Sequence, residues 1–272
     1  MNRRAPLLIG LLVGALLGVI GLNTKVGANA FQVWGPAVSA HQDLSTAVGA
    51  AAPQATIGAM VFDRQTGQTL VEVNAERQFR TQSLVKLLMA LDALDNHAAG
   101  SSPKQLARLR VMLSASDDDV ANGVWSQDGR TRIVTGMAGR IGLPGTQGPD
   151  DPNFWGDTLT TPADLVRIYR YLLDRESPAS RDTVLDALRT APRVAADGFD
   201  QHFGIPTALD GHQWAVKQGW ADRERGKDLH TTGLVDDRYI VVVLTEQGNR
   251  VSMDAASAVV TAVVKSLSPA LT

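Results

Sequence analysis

A serine and a lysine three residues apart, Ser83 and Lys86, open an apolar run in the stretch TQSLVKLLMA that spans Thr81 to Ala90. Three residues is nearly one helical turn, so on a helix the hydroxyl and the amine share a face and can meet. A hydroxyl is a weak nucleophile until a neighbour takes its proton, and a lysine can do so only where burial or positive potential lowers its pKa. The first turn of a helix supplies such potential. Two more groups could do chemistry beside this pair. One is Ser116-Asp117-Asp118, ahead of Val120-Ala121-Asn122; the other is Lys217-Gln218-Gly219-Trp220. The latter is a lysine on a strand end, followed by a glycine that lets a backbone or ligand approach closely.

Taken singly, each pattern has an ordinary structural explanation. Ser101-Ser102-Pro103-Lys104 repeats the SxxK spacing, and there Ser102 is expected to cap a helix, Pro103 to take its first position and Lys104 to face solvent. The acidic run after Ser116 reads as a helix N-terminus, where the dipole favours carboxylates and Ser116 or Asp117 caps. Ser83 differs in context: a hairpin delivers the chain to it, and the residues after it are apolar enough for burial.

The elements that position these groups follow from periodicity. Thr56 to Phe62 and Thr69 to Val73 are short strand-like runs joined by the turn-rich Asp63 to Gln68, a hairpin ahead of Phe79. Ser39 to Ala51, Pro103 to Leu113, Asp117 to Trp125, Thr131 to Ile141, Pro162 to Leu173 and Ser180 to Leu188 carry apolar residues at helical spacing. Gly142 to Thr160, rich in Gly, Pro and Asp, is a loop long enough to suggest a functional one. Strands return at Gln213 to Lys217, Leu229 to Val235 and Tyr239 to Thr245, and a helix closes the chain from Ser252 to Leu267. The fold class is therefore α/β (α+β): a mixed antiparallel sheet built from both chain ends with flanking helices, plus an inserted all-helical lobe at about 81–205. A site between lobes is the usual place for a pocket.

Composition narrows the classes. The chain has 272 residues, a net charge of -2 and 44% hydrophobic residues, enough for a well-buried core. A pI of about 6.2 gives no electrostatic reason to expect a nucleic-acid partner. With no cysteine there is no thiolate metal site, and His41, His97, His202, His212 and His230 show no ligand spacing, so no metal and no cofactor is expected. Residues 1–30 read as a signal peptide or N-terminal membrane anchor: Arg3 and Arg4, then apolar Leu7 to Leu22, then Ala28-Asn29-Ala30. Export follows, with the membrane reached only through this segment and residues 31–272 as the working domain.

Taken in order, SxxK at a helix start, S-D-x before x-A-N, and K-x-G on a late strand resemble the penicillin-recognising serine enzymes, most closely the class A β-lactamases and related serine hydrolases. The run Asp157-Thr158-Leu159-Thr160-Thr161-Pro162 resembles the exit of that family's omega loop. The resemblance implies that Ser83 is acylated, Lys86 is its proton partner, Ser116 relays a proton to the leaving nitrogen, and Lys217 helps hold a substrate carboxylate. It places Asp118, Gln218, Gly219 and Trp220 in the substrate site, with the backbone N–H groups of Ser83 and Trp220 as the oxyanion hole. The substrate it implies is a β-lactam or a peptidoglycan stem peptide.

Three departures qualify this. The family's deacylating glutamate is missing: the five glutamates are Glu72, Glu76, Glu176, Glu224 and Glu246, all outside the loop, which offers Asp150, Asp151 and Asp157 instead. An aspartate is one methylene shorter, and a misplacement of about 1 Å can lower a rate about 100-fold, so slow or absent deacylation is expected. Asp118 stands where the family has asparagine. Beside Lys86 it would form an ion pair of up to about 4 kcal/mol at an effective dielectric of about 20, against about 0.3 to 1 kcal/mol from the helix end. Unless desolvation is strong, Lys86 is expected to rest protonated. The Ser83 to Ser116 segment is also shorter than in typical β-lactamases. The chain is thus read as an exported serine hydrolase of the class A type acting on β-lactam-like amides. The alternatives are a slow-turnover penicillin-binding D,D-peptidase-like protein and a catalytically silent cell-wall binding module.

Overall fold

The computed structural model describes residues 44–96 and 101–272. The export segment of residues 1–30 and the first part of the Ser39 to Ala51 helix lie outside the described residues; the rest of that helix, α1, runs over residues 44–51.

The segment Tyr239–Gln247 begins YIVVVL, an apolar run without alternation, which is the pattern of a strand buried on both faces. It forms β7, the middle strand of a five-stranded sheet. With β1 (Thr56–Asp63), β2 (Gln68–Val73), β5 (Trp214–Arg223) and β6 (Gly226–Val235), the order is β2-β1-β7-β6-β5, every pairing antiparallel. Strands from both chain ends therefore meet in one sheet, as the periodicity implied. Ile240, Val242 and Leu244 face one core, Tyr239, Val241 and Val243 the other, the period-2 consequence of a pleated strand.

The second core is closed by α1 and by α9 (Met253–Leu267), whose Val260, Val263, Val264 and Leu267 are buried. The first core holds α2 (Lys86–Asn96), α3 (Pro103–Ser114), α4 (Asp118–Gln127), α5 (Thr131–Ile141), α6 (Pro162–Asp174) and α7 (Pro178–Arg189). Local chemistry sets their ends: Ser102, Asp117, Thr161 and Ser177 each accept a backbone N–H as N-caps, and Gly142 ends α5 at φ +80°. Ser102 caps α3 through Gln105 N–H and Pro103 takes the first position, so the second SxxK match is a capping motif.

Two elements differ from the sequence reading. Lys217 is the fourth residue of a ten-residue strand rather than its end, because β5 continues through polar residues to a tight hairpin pairing Arg223 with Gly226. An edge strand has solvent on one side, so its polar half shows no apolar alternation. The long loop after α5 is also more ordered than its composition suggests. It contains a 3-10 turn at Trp155–Asp157 and ends in β4 (Leu159–Thr160), which pairs with β3 (Phe79–Arg80). The loop and the approach to Ser83 are thereby one ribbon inserted among the helices.

Gly58 on β1 lies against this ribbon: a Cβ there would stand 2.6 Å from the Phe79 ring and 2.7 Å from the Pro162 ring. Gly58→Ala is expected to destabilise the fold by about 1–3 kcal/mol through overpacking. Urea denaturation should show a lower midpoint with an unchanged slope.

Candidate active site

Ser83 lies in a 3-10 turn, Gln82–Val85, that runs directly into Lys86, the first residue of α2. In that tighter helix positions i and i+3 eclipse, which brings Lys86 Nζ to 3.0 Å from Ser83 Oγ. The residue before the nucleophile, Gln82, has φ +48° and Ser116 has φ +56°. Left-handed backbone at non-glycine residues persists only where surroundings enforce it, and it concentrates at functional sites. Gln82 is enforced by a buried hydrogen bond from its Nε2 to Asp228 Oδ2 at 2.7 Å. Ser116 is enforced by its position between α3 and Asp117, which caps α4 and leaves the serine side chain free to face the lysines.

Five of the predicted residues, Ser83, Lys86, Ser116, Asp118 and Lys217, converge. Lys86 Nζ stands 2.7 Å from Ser116 O, 3.4 Å from Ser116 Oγ and 2.5 Å from Asp118 Oδ1. Lys217 Nζ donates to Ser116 Oγ at 2.9 Å and to the Gln218 carbonyl at 3.0 Å. Ser116 Oγ thus bridges two lysines, both of them buried. A neutral lysine has two donors and one lone pair. With its donors on the two closest acceptors, Ser116 O and Asp118, the lone pair is left for the Ser83 hydroxyl, the arrangement of a base beside its nucleophile.

Electrostatics favours that arrangement. Burial is the largest influence on Lys86 and pulls its pKa below the ordinary lysine value, while Asp118 opposes it. From sequence the ion pair is expected to win unless desolvation is strong; in the structure desolvation outweighs an Asp118 carboxylate that is itself 60% exposed and hence screened. Lys217 is lowered well below the ordinary value, first by burial and then by the neighbouring Lys86 charge.

The cleft in front of Ser83 has a volume of about 1140 Å³ and is also lined by Asp118 and Trp220. Gly219 makes the close approach possible, since a Cβ there would lie 2.8 Å from Thr81 O. Three predicted site residues are placed elsewhere. The Gln218 side chain turns into the protein, where Nε2 donates to the carbonyls of Gln201 and Phe203 at 3.0 and 2.6 Å. Along a strand, side chains alternate, so Gln218 faces away from its neighbour Lys217. Asp150 and Asp151 are exposed and do not line the cleft; Asp151 instead accepts hydrogen bonds from Asn153. The one loop carboxylate that does line it, Asp157, is engaged by Arg80 at 3.5 Å and by Arg223.

Sequence reasoning missed two residues. Trp155 takes the place beside the lysine where a loop carboxylate was sought: its ring centroid is 4.9 Å from Lys86 Nζ, and its Nε1 donates to Asn122 Oδ1 at 2.9 Å. The available signal was a large aromatic in a Gly/Pro/Asp-rich loop. Asp197 lies between α7 and β5, accepts from Trp220 Nε1 at 2.9 Å and lines the cleft; no motif marks it. Among the described residues no group of three or more His, Cys, Asp or Glu could hold a metal ion.

Residues 39–131 match the Beta-lactamase enzyme family. LppW of Mycobacterium tuberculosis, named as a lipoprotein, is 39% identical over 203 residues, 71% of this chain. The chain spans 64% of the length of that relative. Among solved structures, a class A β-lactamase from Mycobacterium abscessus is 18% identical with a TM-score of 0.71, covering 84% of this chain and 99% of that one. PBP-A is 21% identical with a TM-score of 0.67, covering 86% and 96%. The chain has the class A β-lactamase fold, and its resemblance is to the serine hydrolases related to that class.

Of the carboxylates that hold the Lys86 pKa up, Asp118 contributes most, ahead of Asp117 and Asp197, so removing its charge has a defined sign. A base acts when neutral, and its rate rises as pH passes its pKa. Asp118→Asn is expected to move the rising limb of Ser83 acylation to lower pH and to raise the rate below that limb. A stopped-flow pH profile with an activated acyl donor measures it; an unmoved limb would contradict the assignment.

Proposed function

We propose that this protein is an exported serine hydrolase whose amide substrates acylate Ser83 and leave it slowly, closer in behaviour to a penicillin-binding D,D-peptidase than to a fast β-lactamase. Lys86 takes the Ser83 proton as Oγ attacks the carbonyl carbon. The negative charge that develops on the carbonyl oxygen is met by the backbone N–H groups of Ser83 and Trp220. When the C–N bond breaks, Ser116 passes a proton to the leaving nitrogen and is re-protonated through the lysines that flank it. Water must then attack the ester.

The observation that carries the slow second half is Trp155. Its indole covers Lys86 on the loop side, and no loop carboxylate is available there to activate water. Asp157, the nearest in sequence, is held through its Oδ1 by Arg80 and Arg223. Export and retention at the cell envelope are supported by the apolar segment Leu7 to Leu22 and by the relative named as a lipoprotein. The present chain has no cysteine for a lipid.

Intact mass after incubation with excess penicillin is expected to show one adduct, absent in Ser83→Ala, that forms slowly and persists after the penicillin is removed. Rapid adduct loss with hydrolysed product would instead identify a β-lactamase using another base. Trp155→Ala opens the ester to water and is expected to shorten the adduct lifetime about tenfold or more, read by the same mass time course.

A further inference from the structure

The charge around Ser83 is not what a carboxylate-bearing substrate requires. Seven carboxylates and three guanidiniums line the cleft; of the carboxylates, Asp157 is held by Arg80 and Arg223, Asp222 by Lys227, Glu246 by Arg77 and Asp118 by Lys86. The two basic groups nearest the nucleophile, Lys86 and Lys217, are buried behind it and directed at protein acceptors. Gln218, the residue expected to help hold a carboxylate, is turned inward. Two of the guanidiniums, Arg80 and Arg223, are committed to Asp157, and Arg223 stands three residues beyond Trp220, about 10 Å along the strand.

The wall beside Trp220 has the opposite character. Asp197 accepts from the Trp220 indole N–H at 2.9 Å and from Phe199 N–H at 2.9 Å, which fixes its carboxylate at the cleft. The Trp220 ring stacks on Phe199 at 5.0 Å, and Phe154, 61% exposed, stands on the same cleft. On the same cleft Asp118, paired with Lys86, presents a carboxylate that is 60% exposed. Fixed carboxylates together with aromatic faces are the two features that bind an organic ammonium.

Taking the Ser83 cleft as the acyl-donor site proposed above, we infer that it selects donors that carry an ammonium group close to the scissile amide and disfavours donors with a carboxylate there. Asp197 is the main specificity-determining residue and Trp220 the ring it orients. The chemical class is a peptide amide with a free amine, on either its backbone terminus or a side chain. Penicillins, which carry a carboxylate beside the reacting amide, would on this account acylate slowly because Asp197 and Asp118 repel them.

The test separates charge selection from acyl transfer. The full chain carrying Ser83→Ala cannot form an acyl-enzyme, so its affinity reports binding alone. Calorimetry with a short peptide amide bearing a free amine, and with the same peptide N-acetylated, is expected to show the free amine bound about tenfold more tightly at low salt. The preference should fall below about threefold when Asp197→Asn is added, and likewise in about 0.5 M salt, where charges are screened within about 4 Å. The asparagine keeps an acceptor for the indole, and an unchanged melting temperature would show that the fold is retained. Equal affinities, tighter binding of the acetylated peptide, or no measurable binding of either would overturn the inference. A wild-type chain that fails to acylate, beside a Ser83→Ala chain that prefers the amine, would overturn the proposed reaction and leave the charge selection standing.

Discussion

The site depends on one constraint: the Lys86 amine is buried at a point where it must satisfy several partners and still serve Ser83. Burial disfavours its charge, Asp118 favours it, and the balance falls on the side of burial. That balance is structural in origin. Ser116 turns through a left-handed backbone to place both its carbonyl and its hydroxyl on the lysine, and Lys217 holds the hydroxyl from the other side. If any of these contacts opened to water, desolvation would weaken and the Lys86 pKa would rise back toward the ordinary lysine value.

The sheet and the helical layer exist, from this point of view, to hold two edges together. Strand β5 brings Lys217 and Gly219 against the turn that carries Ser83, and Gly219 permits the contact because no Cβ fits there. The loop after α5 is fastened to the same turn by Thr81 N–H donating to Thr158 O at 2.7 Å and by the β3–β4 pairing. This ribbon delivers Trp155 to the lysine. The same scaffold that sets Ser83 beside Lys86 therefore also sets the Trp155 ring against that lysine.

Much of this was legible in the sequence. Ser83, Lys86, Ser116 and Lys217 announced themselves because each is a chemically specific type at a spacing that a helix or strand turns into proximity. The helices of the middle segment and the central strand β7 announced themselves by period and by unbroken apolarity. Other features left no such mark. Gln218 follows a lysine that faces the site, yet strand alternation turns it to the other face, where carbonyls of the Gln201–Phe203 segment bind it. Asp150 and Asp151 were candidates by composition, but which loop residue meets Lys86 depends on the path of the backbone, and that path presents Trp155. Asp197 becomes part of the cleft only through a hydrogen bond to a residue 23 positions away. The strength of desolvation at Lys86 likewise depends on packing, which no local pattern reports.

The most direct test of the account is the protonation equilibrium of Lys86 itself. NMR titration of the labelled Lys86 Nζ, assigned by comparison with a Lys86→Arg chain, measures it without any substrate. The account predicts a pKa below the ordinary lysine value of 10.5, falling further when Asp118 is replaced by asparagine. A Lys86 that titrates at or above 10.5, and that Asp118→Asn leaves unmoved, would contradict the assignment of Lys86 as the base for Ser83.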